Sequence, residues 1–493
     1  MPAGPAGNTH PSSMSWKVRT MKEVCMKRTT LSLLAVVLLT AAAAVQAAGT
    51  VEEVSFYSDA LGMDRAALVY LPEGYDSSTE QYPVVYLIHG HAGTAGNWYA
   101  VPEFVEALDG MVGDGLVDPF ILVEPDASCM PWAPDLPYPF PCHLTDSELT
   151  GNHETSLIED LIPWIDSSYR TADDRDHRYI FGRSAGGYGA ARIALRHPDV
   201  FGGLGLQVGM IALEVVQYLL PMLLAEYPGE PPYDFNPRAG SASFMVFSWC
   251  AALTPNLSNQ SWQVDLIVDE NGSLLTDVWD RFVAQSPTRW ATELASSGGE
   301  LDIFMDGGEN DAFLPFTTVF AAALDALDLP YTMEVFDGDH EDPPMWQRLQ
   351  THLTFFMPLN ATVDLQPRVI NARNWWILVQ ASLELPGDLD ASEIDASTLA
   401  ITEIDGVALD HPIAAFATHH MSDINGNGHQ DLTVWFDKRR ILRILIEMGI
   451  GNQQPFEVTI EGETAAGWFL AATDSLRAVN IDHPEALKLL SLN

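Results

Sequence analysis

Short apolar runs alternate with helix-like stretches over most of the first 357 residues. The runs are ALVYL, PVVYLIHG, FILVEPD, YIFG, LDIFMDGG and YTMEVFDG. Segments this short and this uniformly apolar fit strands covered by helices on both faces, so the pattern predicts a mostly parallel α/β sheet. Helices are predicted over 101–113, 155–169, 187–196 and 315–328. The first has Pro102 in its opening turn, and the third stops before His197-Pro198. Near residue 358 the texture changes. From Val363 onward the chain reads as strands with turn chemistry (WWILVQASLEL, TLAITEIDG, LTVWF, FEVTIEG), interrupted by one amphipathic stretch, KRRILRILIEMGI. MPLNAT at 357–362 is therefore the expected boundary between an α/β domain over 48–358 and a smaller, mainly-β, sandwich-like domain over 361–480.

The first 47 residues have another texture. Met26-Lys27-Arg28, the fifteen-residue run LSLLAVVLLTAAAAV and the small residues Val45 and Ala47 read as a signal peptide, with the mature chain beginning near Ala48. Residues 1–25 then read as an upstream extension. A membrane anchor is the alternative, but the run is short of the roughly 20 residues that span a bilayer. Expected localisation is secreted or periplasmic. Five of the 24 basic and one of the 67 acidic residues fall in this segment, which leaves 19 against 66 in the mature part. Such a charge excludes nucleic acid and anionic membrane surfaces as partners. Only Lys438 and Lys488 are lysines after residue 47. A saline habitat and an ordinary acidic secreted protein account for that equally well. Export also permits disulfides, and Cys129 to Cys142 is the expected bridge, closing the loop SCMPWAPDLPYPFPC, with Cys250 a buried thiol.

Candidate chemistry centres on FGRSAGGYGAARIALRHPDVF at 181–201, which sets Ser184 in a GxSxG pentapeptide between a strand and a helix. Gly182 and Gly186 leave room for the sharp turn of a nucleophile elbow. Serine needs a base, and the base an acid to orient it. Asp311 follows the run LDIFMD and His340 follows YTMEVF, both just past strand ends and in the chain order Ser, Asp, His. Asp306 is the rival acid; Asp337 and Asp339 read as turn formers. Backbone N–H groups of Ala185 and His91 are the expected oxyanion donors, Gly90 allowing the turn after VVYLIHG. The alternative for that stretch is a metal pair at His89 and His91.

These residues resemble the secreted esterases of the esterase D and antigen 85 group, which includes feruloyl esterases, S-formylglutathione hydrolases and mycolyltransferases. The likeness covers roughly residues 51–357. It rests on SDALGMDRAALVYLPEGYD, YPVVYLIHGHAG with Trp98, LIEDLIPWIDSSYRT, GRSAGGYGAARIALRHPDVF, GGENDAF and the DGDH element with Trp346. It implies an α/β-hydrolase fold with Ser184 as nucleophile, Asp311 as acid, His340 as base, and His91 with Ala185 at the oxyanion. Alanine at 185 stands where the family commonly has methionine, and residues 207–300 are long and hydrophobic. Trp249, Trp262, Trp279 and Trp290 there, with Trp132, Tyr138 and Phe140 in the cysteine loop, are candidates to line the substrate pocket, core packing being the other reading.

The carboxyl-terminal part carries a second signature, SDINGNGHQDL. Asp423, Asn425 and Asn427 alternate and Gly428 follows, as in a calcium loop, with Asp431 at the ninth position and Val434 where a glutamate belongs. The candidate ligand set is Asp423, Asn425, Asn427, His429 and Asp431. A metal-free Asn-Gly turn stays open beside it. The whole reads as an exported serine hydrolase of carboxylic esters that needs no cofactor for catalysis and acts on a small-molecule or carbohydrate-linked ester. Acyl transfer to a sugar acceptor, or a non-catalytic, calcium-dependent surface or carbohydrate-binding protein, are the alternatives.

Overall fold

The apolar runs become the strands of one mixed sheet. β1 (Thr50–Ser58) and β2 (Met63–Leu71) form an antiparallel hairpin at its edge. β3 (Val84–Ile88), β4 (Ile121–Pro125), β5 (Arg178–Arg183), β6 (Gly203–Gln207), β7 (Asp302–Gly308) and β8 (Thr332–Phe336) run parallel, in the order β1-β2-β4-β3-β5-β6-β7-β8. The computed structural model describes residues 48–129, 140–374, 377–387 and 389–482. The expected signal peptide lies outside them. β6 is absent from the sequence-based expectation, because GLGLQ has glycine or glutamine at three of five positions and little β propensity of its own. Its place is set by neighbours: β5 and β7 bond to it from both sides.

Alternation along the strands builds two cores. Val84, Tyr86 and Ile88 of β3 face one of them, and Val85 and Leu87 face the other. The first core is covered by α2 (Ala185–Arg196), α3 (Ser241–Leu253) and α4 (Leu314–Asp325). Residues 207–300 supply much of that cover. α1 (Pro102–Gly113) and α5 (Met345–Phe356) cover the second face. The predicted helix over 155–169 is found as helical segments His153–Thr155, Ser156–Leu161 and Ile162–Ser168.

Beyond α5 the chain forms two more sheets. β9 (Thr362–Gln366), β10 (Leu378–Glu384), β13 (His420–Ser422) and β14 (Asp431–Asp437) make one, in the order β9-β10-β14-β13. β11 (Ile394–Ile404), β12 (Val407–Ala414), β15 (Pro455–Thr464) and β16 (Phe469–Val479) belong to the other, in the order β16-β15-β11-β12. The amphipathic stretch is α6 (Lys438–Glu447), capped by Asp437 and burying Ile441, Leu442 and Leu445. Apolar packing from α1 and α5 continues into these sheets through Leu359, Leu365, Val379 and Phe436.

One expectation is corrected. Cys129 and Cys142 are buried, separate thiols, and no disulfide joins them. Ser128–Cys129 pairs with Phe140–Pro141, so the two cysteines are near neighbours on one ribbon. The Cys142 sulfur instead accepts the Leu144 N–H at 3.4 Å, and burial pushes its thiol up to about 12.

Candidate active site

β5 runs into α2 through a single residue, and that residue is Ser184. Its backbone sits at φ 53° and ψ −120°, a conformation that costs a non-glycine residue on the order of 1–3 kcal/mol. Close packing around the elbow holds it there. The Ser184 N–H donates to the Gln207 carbonyl at 3.0 Å, and the Ser184 carbonyl accepts from Gly187 and Met210, both at 2.9 Å. A Cβ on Gly182 would overlap the Gly186 carbonyl, and one on Gly186 would strike the carbonyls of Ile88 and His89. These are backbone atoms with nowhere to go. Gly182→Ala is therefore expected to cost about 3 kcal/mol or more, read as a lower midpoint in urea unfolding.

Ser184, Asp311 and His340, far apart in sequence, meet at the carboxyl ends of β5, β7 and β8. His340 Nε2 lies 3.0 Å from Ser184 Oγ, and His340 Nδ1 lies 2.8 Å from Asp311 Oδ2. A carboxylate accepts, so Nδ1 carries the proton and Nε2 is left to accept from the serine hydroxyl. Asp311 is fixed in turn by the Phe313 N–H at 2.8 Å on its other oxygen. Asp306, the rival acid, is excluded by its partners. It is fully buried, accepting from Arg348 Nε at 2.9 Å, His352 Nε2 at 3.0 Å and the Val208 N–H at 2.9 Å. Burial pushes its carboxyl up, yet His352 and Arg348 outweigh that and hold it below the usual range. Asp339 is the turn former expected, accepting from the Glu341 and Asp342 N–H groups.

Two side chains given no role in the sequence reading brace this arrangement. Arg183, directly before the nucleophile, donates to the His340 carbonyl at 2.7 Å and to Glu341 at 2.8 Å, tying the histidine loop to the elbow. Glu124 sits behind the 89–98 turn and accepts the N–H groups of Gly96 at 3.0 Å and Trp98 at 3.4 Å. Burial pushes the Glu124 carboxyl up to about 8, against the pull of those N–H groups. The folded state thus holds this proton more tightly than the unfolded chain does. Stability that is full below about pH 4.3 is lost as pH rises towards 8, on the order of 3 kcal/mol or more. Glu124→Gln keeps the acceptor for the Gly96 N–H, turns an amide NH2 toward the Trp98 N–H, and removes the titration. The difference between its melting temperature and that of the wild type is expected to move in its favour from pH 5 to pH 9.

Gly90 brings the turn against the nucleophile: a methyl group added there would lie 3.4 Å from the Ser184 Cβ. His91 is the chain neighbour of Gly90, and Ala185 that of Ser184. The His91 ring stands edge-on to Phe244 at 4.7 Å, neither of its nitrogens has a hydrogen-bond partner, and burial lowers it to about 4. His89 has both nitrogens engaged, by the Ala127 N–H and the Gly90 carbonyl, each at 3.0 Å. With both of its nitrogens engaged, His89 has none left to share a metal with His91. Trp249 and Phe140 are fully buried and Trp290 nearly so, as core packing rather than pocket wall. Trp262 and Trp279 are partly buried against the same core. Trp132 and Tyr138 lie outside the described residues.

The 423–431 loop is closed by its own side chains. Asp423 accepts from the N–H groups of Gly426 and Gly428, Asn425 from Asn427, Asn427 from His429, and the buried Asp431 from Ile424. Glu384, at the end of β10, reaches the side-chain amides of Asn425 and Asn427 at 3.0 and 2.9 Å.

A 165-residue stretch is 33% identical to an endo-1,4-beta-xylanase/feruloyl esterase of Xylanibacter ruminicola, covering 33% of this chain and 22% of that one. A 160-residue stretch is 32% identical to Esterase Rv1288 of Mycobacterium tuberculosis, covering 32% of each. The matches thus span a third or less of these relatives' length. Among solved structures, a ferulic acid esterase aligns at a TM-score of 0.45 with 21% identity, over 63% of this chain and 98% of the other. An S-formylglutathione hydrolase from Agrobacterium tumefaciens aligns at 0.41 with 19% identity, over 62% and 94%. The sequence profile of the family Esterase, described as "Putative esterase", matches residues 58–353, more than half of the chain, and the chain belongs to that family.

Proposed function

We propose that the protein hydrolyses carboxylic esters through an acyl-enzyme on Ser184. The observation that carries this reading is the continuous hydrogen-bonded line Ser184–His340–Asp311 at 3.0 and 2.8 Å, on a strained strand-to-helix turn. Ser184 Oγ attacks the ester carbonyl as His340 Nε2 takes its proton. Negative charge develops on the carbonyl oxygen, where the N–H groups of Ala185 and His91 receive it. His340 then returns the proton to the departing alcohol. Water, deprotonated by the same nitrogen, attacks the acyl group and restores the serine. Asp311 holds Nδ1–H throughout and stabilises the imidazolium.

The name of the Xylanibacter relative makes a feruloyl ester the first substrate to test. A panel of aryl, acetyl and feruloyl esters, run with wild type and Ser184→Ala, tests the reading: serine-dependent turnover of at least one class supports it, and none refutes it. Export rests on the 26–47 segment, and a secreted product beginning near Ala48 is the expected result of amino-terminal sequencing. No helix among the described residues is long and apolar enough to cross a membrane.

A structural calcium ion in the 423–431 loop belongs to the same proposal. Asp423, Asn425, Asn427, His429 through its backbone carbonyl, and Asp431 would hold it, with Glu384 as the added carboxylate, an all-oxygen set suited to a hard cation. Calcium is expected to raise the melting temperature of the wild type and to leave Asp423→Ala unmoved. Equal melting with calcium and with chelator removes the ion from the account.

A further inference from the structure

A cavity of about 770 Å³ lies far from Ser184. It opens at the amino ends of β5, β7 and β8, where they meet β11, β15 and β16. Tyr179 of β5 lines it, and Ser184 stands five residues further on, about 17 Å away at the usual rise of a strand. Ester hydrolysis at Ser184 leaves this space unused.

Its walls are acidic on two sides. Asp176, Glu300 and Asp302 form one, at the amino ends of the central strands, and Glu403, Glu461 and Glu463 form the other, on β11 and β15. Arg175 is the basic residue in the lining, and its donors are already committed to Asp176 at 2.7 Å and to the carbonyls of Glu300 and Pro198, both at 2.8 Å. Among the described residues, Glu300, Asp302, Glu403, Glu461 and Glu463 have no ion-pair partner. Partial burial pushes the Asp302, Glu461 and Glu463 carboxyls up, and Arg175 beside Asp302 and Thr402 beside Glu461 offset this only in part.

Between the walls lies an aromatic floor. Tyr179 packs on Phe356 at 5.2 Å, Phe356 on Phe355 at 4.8 Å, and Phe355 on Phe469 at 5.1 Å. Thr402 adds a hydroxyl beside the Glu461 carboxyl. A single metal ion needs oxygen ligands converging to roughly 2.0–2.6 Å. Here the carboxylates stand in two groups, and no three of them are gathered for a metal. An anion would be repelled. A flexible alkyl chain with an ammonium group at each end matches both walls and the floor, since ammonium is attracted to carboxylates and to ring faces while methylenes pack on aromatics.

We propose that this cavity is a binding site for a small organic polyamine, which bridges the acidic wall of the central sheet and that of the carboxyl-terminal sheet. Isothermal titration of the mature chain with spermidine at low salt is expected to give saturable binding near one per chain. Glu461→Gln/Glu463→Gln and, separately, Asp302→Asn are each expected to weaken it tenfold or more, one variant from each wall. Should a variant fail to fold, the wild type provides a second reading. 1,4-Diaminobutane is expected to bind at least tenfold more tightly than butylamine, because only the diamine carries a second ammonium for the second group of carboxylates. The proposal is overturned by the absence of saturable heat, by wild-type affinity in both variants, or by butylamine binding as well as the diamine. Saturable binding of magnesium, calcium or neutral xylotriose in place of spermidine overturns it equally.

Discussion

Ser184→Ala is expected to lower kcat/KM for an ester substrate by about 10⁴-fold or more while leaving the melting temperature within a few degrees of wild type. The size of the loss follows from what the alanine removes. Ser184 is 6% exposed, its hydroxyl lies 3.0 Å from His340 Nε2, and in the proposed reaction that hydroxyl accepts the acyl group. No other hydroxyl is described within bonding distance of that imidazole. Stability should change little, because the bonds that shape the elbow come from the backbone N–H and carbonyl of residue 184 and survive the substitution. Alanine also tolerates the positive φ no worse than serine does. Steady-state kinetics with 4-nitrophenyl acetate, beside a thermal melt, reads both quantities. Loss of folding together with activity would leave the serine as a structural residue only.

Asp311→Asn is expected to cost a comparable factor, about 10⁴ in kcat, with KM changed far less. Asparagine can take the same rotamer and still accept from Phe313. Its amide, turned toward His340, presents N–H to Nδ1 and favours the tautomer with the proton on Nε2. That nitrogen then cannot accept from Ser184, although the distances are unchanged. Asp306→Asn is the informative control. Asp306 bonds to Arg348 and His352 and not to His340, so its replacement is expected to lower stability, with kcat of the folded fraction kept. A kcat loss confined to Asp306→Asn would exchange the roles assigned to the two acids.

How far the site is legible in the sequence depends on whether its determinants are local. Ser184 is legible because an elbow needs glycines at fixed offsets, and those glycines stand beside it in the chain. Asp311 and His340 are legible because each directly follows a strong apolar run, which puts it at a strand end. What removes Asp306, the rival acid inside β7, is not legible. Arg348 and His352, more than forty residues onward on α5, claim Asp306, and no local pattern announces that. β6 escapes for a similar reason: a glycine-rich segment becomes a central strand only because β5 and β7 offer it bonds on both edges. The cysteine spacing does bring Cys129 and Cys142 onto one ribbon, but proximity is not a bond, and both thiols are free. Tryptophans in 207–300 have the look of pocket walls, yet Trp249 and Trp290 are consumed by the core that long segment builds. Glu124 and Glu384, which brace the 89–98 turn and the 423–431 loop, act across strands and carry no motif at all.

Reaction of the folded mature protein with a fluorophosphonate, followed by intact mass and peptide mapping, tests the central claim most directly. One adduct per chain is expected on the peptide containing Ser184, absent in Ser184→Ala and formed far more slowly in His340→Ala. No adduct on the folded wild type, or an adduct on a different serine that persists in Ser184→Ala, would contradict it.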